Sequence, residues 1–411
     1  LGNGPVGGKL YHVSHDIKTA LKKTLLPDSS MFESMGFSYM GPVDGHDVEA
    51  LTQSLQWARE QRCPVLLHVR TVKGKGYSPA EERPADYHGV SPFDLVTGKP
   101  LRTAKMDFSH VFGQELTALA GEDGRVCAIT AAMQEGTGLT EFARKYPDRL
   151  FDVGIAEGHA VSMAGGMAKQ GLVPVFAVYS SFLQRGYDQL LQDVALDGLH
   201  VVLGVDRAGL VGTDGETHHG CFDALYLSQV PHMTVLCPAS FAELRQMLRR
   251  AVLELTGPVA VRYPRGGEGA YQDCCGNETF TQVRPGADCT ILTYGVLINE
   301  ALAAAELLHE AGVETRVVKL NAIAPLDGDA VLAALGSEKR LLVLEDCVGS
   351  GCVGQRLTAI LAQRGRMPER LILKNLGDTI PCHGTVPQLY AQCGLDAASV
   401  AAALKEACHE Q

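Results

Sequence analysis

Short apolar runs rich in β-branched residues recur along the chain, and several are followed by a stretch long enough for a helix. They are PVLLHV at 64–69, VCAIT at 126–130, VPVFAVYS at 173–180, HVVLGVD at 200–206, MTVLCP at 233–238 and VAVRYP at 259–264. None alternates apolar with polar residues, so each strand must be covered on both faces, as helices cover a parallel sheet. Segments 108–120, 157–170 and 241–255 are long enough to be those helices. The pattern predicts an α/β fold of successive doubly wound, mostly parallel sheets with helices on both faces.

A chain of 411 residues is too long for one ordinary core, so two or three domains are expected. The stretch EGAYQDCCGNETFTQVRPGAD mixes turn residues without a clear period and reads as a linker. Beyond it CTILTYG, a helix at 298–312, ETRVVKL, RLLVLED and LILKNLG begin a second sheet. The expected domains are therefore 1–105, 106–270 and 283–411. In the first of them only PVLLHV reads as a strand, after a helix at 47–60 and before a Pro-rich connection at 79–100. The chain starts at Leu1 rather than Met, in a pattern already under way. The expectation is of a chain processed, nicked or incomplete at its amino end.

The net charge of −11 argues against nucleic acid, whose binding needs a surplus of Lys and Arg facing phosphates. No apolar run approaches the roughly 18 residues of a membrane span, and LGNGPVGGKL lacks the parts of a signal peptide. A cytoplasmic enzyme is expected, with no membrane partner. The twelve cysteines are scattered and form no CxxC pair, so reduced thiols are expected rather than disulfides or a metal site. Cys127 and Cys237 stand in apolar runs and read as buried small hydrophobes.

Four segments carry candidate chemistry. In FDVGIAEGHA at 151–160 a strand runs into Glu157, at the strand end where α/β sheets bind ligands. Offsetting the charge of a helix N-terminus would explain the same carboxylate equally well. VYSSFLQRGYDQ at 178–189 places Tyr179, Phe182, Arg185 and Tyr187 in one strand-to-helix crossover. Its aromatic rings could stack on a planar cofactor, although isolated rings are more often core. A glycine-rich loop at 205–223 follows a strand and carries Arg207, Asp214, His218 and His219. VRYPRG at 261–266 ends a strand at Arg262, which is expected to reach the same cleft as Arg207. Two guanidinium forks suit a phosphate dianion.

Together with GPVDGHD at 41–47 and VKGKGY at 72–77, these tracts resemble the 1-deoxy-D-xylulose-5-phosphate synthases, a branch of the transketolase-like thiamine-diphosphate enzymes. The resemblance covers essentially the whole chain. It implies that Glu157 activates the cofactor by sharing a proton with its aminopyrimidine ring. It implies that Phe182 and Arg185 line the pyrimidine pocket, and that Lys73 and Tyr77 lie on a loop closing over the thiamine. Arg207 and Arg262 would hold the phosphate of D-glyceraldehyde 3-phosphate. Tyr179, Asp214, His218 and His88 would surround the pyruvate-derived carbanion and move protons. On the same basis residues 1–105 are the remainder of the first thiamine-diphosphate domain, 106–270 the pyrimidine-binding domain and 283–411 the transketolase-like C-terminal domain.

The implied reaction condenses pyruvate with D-glyceraldehyde 3-phosphate, releases carbon dioxide and feeds isoprenoid, thiamine and pyridoxal synthesis. A homodimer is implied as well. The diphosphate and Mg2+ ligands of the family lie on a GDG motif with a following Asn, expected upstream, so no residue of this chain is assigned to the metal. Gly158 and Cys221 depart from the Gln and Ala of many relatives. Two other readings remain: a transketolase-like enzyme with another acceptor, and an inactive or partner-dependent fragment.

Overall fold

The computed structural model describes residues 27–90, 92–101, 105–274, 278–335 and 339–409. The opening LGNGPVGGKL and Cys275 lie outside them. The chain divides into two compact units, Leu1–Ala104 and Lys105–Gln411.

In the first unit, β1 (Ser38–Asp44) and β2 (Val65–Arg70) pair in parallel, in register from Ser38 opposite Val65 to Asp44 opposite Arg70. The helix Val48–Glu60 connects them, and the Asp47 carboxylate caps it by accepting from the Ala50 amide at 2.9 Å. β1 corrects the expectation of a single strand. Its SYMGPVD carries Gly41 and Pro42, which read as a turn, and the register shifts between Met40 and Val43 around them. Proline has no N–H for the ladder, so the strand passes it through an irregularity. After β2, Tyr77, Tyr87 and Phe93 form an edge-packed ring cluster with centroids 5.3 to 5.8 Å apart.

The second unit holds two sheets. Seven strands run in the order β12-β7-β8-β6-β5-β3-β4: Ala322–Ala324, Thr234–Leu236, Val259–Arg262, Val202–Asp206, Val173–Tyr179, Val126–Thr130 and Leu150–Asp152. All neighbours are parallel except β12 with β7. Alternate residues feed opposite faces, as apolar-on-both-sides strands require. Val126, Ala128, Val175, Ala177, Val259 and Val261 pack with the helices Phe108–Glu122 and Phe241–Leu253. Ile129, Phe176, Val178, Leu203, Val205 and Ala260 pack with the helix Glu157–Lys169 on the other face.

The second sheet runs β14-β13-β10-β11-β9: Arg370–Lys374, Arg340–Leu344, Cys289–Tyr294, Thr315–Leu320 and Phe280–Arg284. Its edge strand β9 is antiparallel and lies inside the segment expected to be a linker. Four half-buried residues around the exposed Gln282, at a sheet edge, carry too short an alternation to stand out from turn residues. One buried cluster joins both sheets, since Leu292, Val318 and Val343 share it with Phe176 and Leu203. β12, inside the C-terminal stretch, adds itself to the first sheet, so that stretch supplies strands to both sheets. Among the described residues no helix is long and apolar enough to cross a membrane. Cys127 and Cys237 are buried in strand or strand-end positions.

Candidate functional site

The site gathers at the C-terminal ends of β4, β5, β6 and β8. β4 ends at Asp152, whose carboxylate accepts from the amides of Ala132 and Gly154 at 2.8 and 2.9 Å. That turns the chain into the helix Glu157–Lys169, and Glu157, its first residue, is buried. Arg185 Nη1 stands 3.8 Å from Glu157 Oε1, an ion-pair distance too long for a hydrogen bond. A Cβ on Gly158 would come 3.3 Å from the Gln189 side chain, so the glycine lets the crossover approach Glu157 closely.

β5 ends at Tyr179, and the chain turns at once into the short helix Ser180–Leu183. The Tyr179 and Phe182 rings stack at 5.5 Å with 21° between planes. Arg185 lies 5.6 Å over Phe182, His218 meets the edge of Phe182 at 5.3 Å, and Arg207 lies 3.7 Å over Tyr179. The crossover at 178–189 and the glycine-rich loop at 205–223 thus meet in one column of rings and cations. Burial pushes the Tyr179 hydroxyl up to about 12, against the pull of Arg207.

β6 ends at Asp206, and Arg207 follows with φ of 60°, the left-handed region that costs a residue with a Cβ. Its Nη1 donates to the Gly136 carbonyl at 3.1 Å and lies 3.1 Å from Asp206 Oδ1. Its Nε is 3.7 Å from Asp214 Oδ2 and is buried with no hydrogen-bond acceptor. Asp214 sits between Gly212 and Gly215, both at positive φ, in a loop that doubles back through two tight turns. The His383 ring meets the Thr213 carbonyl at 3.0 Å and braces the loop from the C-terminal segment. His218 lies within 2.9 Å of the Thr217 hydroxyl, while His219 is buried and its Nδ1 accepts from the Val211 amide at 3.2 Å. Burial lowers the His219 pKa.

Arg262 does not join Arg207, contrary to the sequence expectation. It is the last residue of β8, buried, and its Nε donates to both oxygens of Asp223 at 2.9 Å while Nη2 donates to Asp346 at 3.2 Å. Its face lies 5.4 Å from the Tyr294 ring. A guanidinium held by two buried carboxylates has no free fork for a phosphate. Instead it ties β8 to the residue that ends the 206–223 loop and to the end of β13. Cys221, beside this cluster, is buried, and burial holds its thiol far above the usual range.

Arg265, three residues on, holds the position expected for Arg262. Its Nε lies 3.0 Å from Asp214 Oδ2, and its Nη1 donates to Thr213 Oγ1 at 3.2 Å. Arg207 and Arg265 line one cleft of about 500 Å³ with Lys105, Ser109, Phe241 and Glu268. The signal was available: past Pro264 a residue leaves the sheet, whereas an arginine in register on a central strand is covered from both faces. Lys73, Tyr77 and His88 belong to the first unit. Lys73 and His88 are exposed, and the Tyr77 hydroxyl donates to the Leu95 carbonyl at 3.0 Å.

The comparisons agree with this architecture. The family described as "1-deoxy-D-xylulose-5-phosphate synthase" matches residues 3–71, "Transketolase, pyrimidine binding domain" 104–267 and "Transketolase, C-terminal domain" 279–400. A 1-deoxy-D-xylulose-5-phosphate synthase of Pelotomaculum thermopropionicum is 42% identical over 98% of this chain, and one of Desulforudis audaxviator is 44% identical over 95%. The chain spans 64% and 62% of the lengths of those relatives. Among solved structures, a split-gene transketolase, described as an inactive β4 tetramer, superposes with a TM-score of 0.65. It has 25% identity and covers 73% of this chain and 97% of its own. A transketolase of Pichia stipitis superposes at 0.62 with 14% identity, covering 74% of this chain and 46% of its own, a likeness of fold alone. By these matches the chain belongs to the 1-deoxy-D-xylulose-5-phosphate synthase family of transketolase-like proteins.

Proposed function

We propose that this protein makes 1-deoxy-D-xylulose 5-phosphate by thiamine-diphosphate-dependent condensation of pyruvate with D-glyceraldehyde 3-phosphate, with loss of carbon dioxide. In this reading it stands at the first step of a non-mevalonate isoprenoid route, with thiamine and pyridoxal synthesis drawing on the same product. The observation that carries the reading is the buried, acceptor-free Nε of Arg207 in a cleft shared with Arg265 and Lys105, beside the column of Tyr179, Phe182 and His218. An oriented donor with nothing to donate to, among further cations, suits a phosphate oxygen.

The residues fit a thiamine ring. Glu157 is a buried carboxylate whose nearby cation, Arg185, stands too far off for a hydrogen bond, and Phe182 offers a half-buried flat face between Tyr179 and Arg185. When bound, thiamine diphosphate would supply the electron sink that pyruvate decarboxylation requires. Glu157 would hold a proton against the pyrimidine nitrogen, and Phe182 and Arg185 would fix the plane of the ring. His218 and Tyr179 flank the reacting carbon in this reading, with Asp214 steadying the arginines that orient the acceptor. Lys73 and Tyr77 are proposed to bind the cofactor, and His88 to move protons at the reacting carbon, as the resemblance implies. Among the described residues no group of three or more His, Cys, Asp or Glu could hold a metal ion, and no residue of this chain is assigned to the magnesium that the resemblance implies. The domain roles proposed for 1–105, 106–270 and 283–411, the homodimer and the cytoplasmic location belong to the same reading.

A second reading has one observation in its favour. The split-gene transketolase that covers 97% of its own length against this chain is described as inactive, which would fit a subunit that needs a separate partner. Incubating the protein with thiamine diphosphate, Mg2+, pyruvate and D-glyceraldehyde 3-phosphate, with mass-spectrometric detection of product and carbon dioxide, tests both. Turnover supports the synthase. Faster turnover with a non-phosphorylated aldehyde overturns the acceptor assignment, and turnover only after a partner chain is added supports the second reading.

A further inference from the structure

Asp206 and Arg207 are neighbours that each carry a cost which packing does not require. Asp206 is fully buried at the end of β6. Ser109 Oγ donates to its Oδ2 at 2.6 Å, while Oδ1 lies 3.1 Å from Arg207 Nη1 but receives no hydrogen bond. Burial pushes the carboxyl up to about 6, against the opposing pull of Arg207 and Ser109. Arg207 adopts a left-handed backbone. Strained residues and buried charges of this kind concentrate where orientation matters to function.

The geometry shows what the two costs achieve. The Arg207 guanidinium rests on Tyr179, donates one edge to Gly136 and faces Asp206. With these contacts fixed, the buried Nε is a donor left without an acceptor on a residue that lines the cleft. We infer that Asp206 is a positioning residue, the buried counter-charge that aims Arg207 at the phosphate of the acceptor; this rests on the cleft being the acceptor-phosphate site. Ser109, in the first turn of the helix Phe108–Glu122, holds Asp206 in turn and also lines the cleft.

The test uses full-length protein with thiamine diphosphate and Mg2+, as wild type, Asp206→Asn and Ser109→Ala. KM is measured for each substrate, inorganic sulfate binding by calorimetry, and melting temperature alongside. Asp206→Asn is expected to raise KM for D-glyceraldehyde 3-phosphate and the sulfate Kd by at least about tenfold, with KM for pyruvate within about twofold and melting temperature not lowered. Ser109→Ala should move both in the same direction by less. Unchanged sulfate and acceptor affinity, equal effects on both substrates, or a lowered melting temperature for Asp206→Asn would each overturn the inference. If wild-type protein fails to turn over the acceptor, the proposed function falls, while the sulfate titrations still decide whether Asp206 positions Arg207.

Discussion

Asp214 Oδ2 lies 3.0 Å from Arg265 Nε, so the glycine-rich loop hands its carboxylate to an arginine that follows β8 and lines the cleft. The side chain of Arg265 is also two-fifths exposed, which leaves its remaining donors open to a ligand. Arg265→Ala should therefore raise KM for D-glyceraldehyde 3-phosphate by an amount equivalent to about 1.5 to 3 kcal/mol, the scale of a hydrogen bond to a charged group. Pyruvate KM should change much less. Steady-state kinetics with each substrate varied in turn checks this, and parallel losses would show a structural role instead.

Arg262 predicts the opposite pattern. Removing one partner from a buried ion pair strands the others, here Asp223 and Asp346, at about 3 to 5 kcal/mol. Arg262→Ala should lower the denaturant midpoint or leave the protein insoluble, whereas any folded fraction should keep a near-normal acceptor KM. A folded variant with a selectively raised acceptor KM would return Arg262 to the phosphate site.

Glu157→Gln should preserve the fold and abolish most turnover, because an amide cannot share a proton with the pyrimidine ring. Its carboxylate has no hydrogen-bonded cation that the amide would abandon, since Arg185 stands 3.8 Å away. Near-normal turnover with an unchanged melting curve would remove Glu157 from the mechanism.

Much of this was legible because buried parallel strands advertise themselves. VCAIT occupies residues 126–130 as a strand and VPVFAVYS nearly so, the latter strand ending at the site residue Tyr179. The failures share a cause. Arg262 and Arg265 belong to one six-residue tract, and choosing between them needs the point at which the chain leaves the sheet. That point is set by Pro264 and by the covering of β8 by β6 and β7, which only the fold supplies. Asp206 and Ser109 escape sequence reasoning for a related reason. They are 97 residues apart, and a carboxylate at the end of an apolar run looks the same whether it faces water or a buried hydroxyl. β9 and β12, short and antiparallel at sheet edges, had too few residues to show a period.

The buried charge of Asp206 should also be visible in stability. Its folded-state pKa of about 6 lies above the ordinary 3.8, so the folded protein binds this proton more tightly than the unfolded chain does. Stability from this group is therefore gained as pH falls through about 6, is complete below the unfolded value, and is absent near pH 8. A difference of that size between folded and unfolded chain corresponds to a cost of about 3 kcal/mol when the group is ionised. The groups facing it are Arg207 and Ser109, with Asp107 raising its pKa, and Tyr179 and Tyr263 close enough to feel its charge. Asp206→Asn removes this pH dependence, since an amide does not titrate. Urea midpoints at pH 8 and pH 5 give the comparison: the variant should exceed wild type at pH 8, and the difference should shrink at pH 5 as wild-type Asp206 takes up its proton. A variant less stable than wild type at pH 8 would mean that the pair with Arg207 outweighs the burial of its charge.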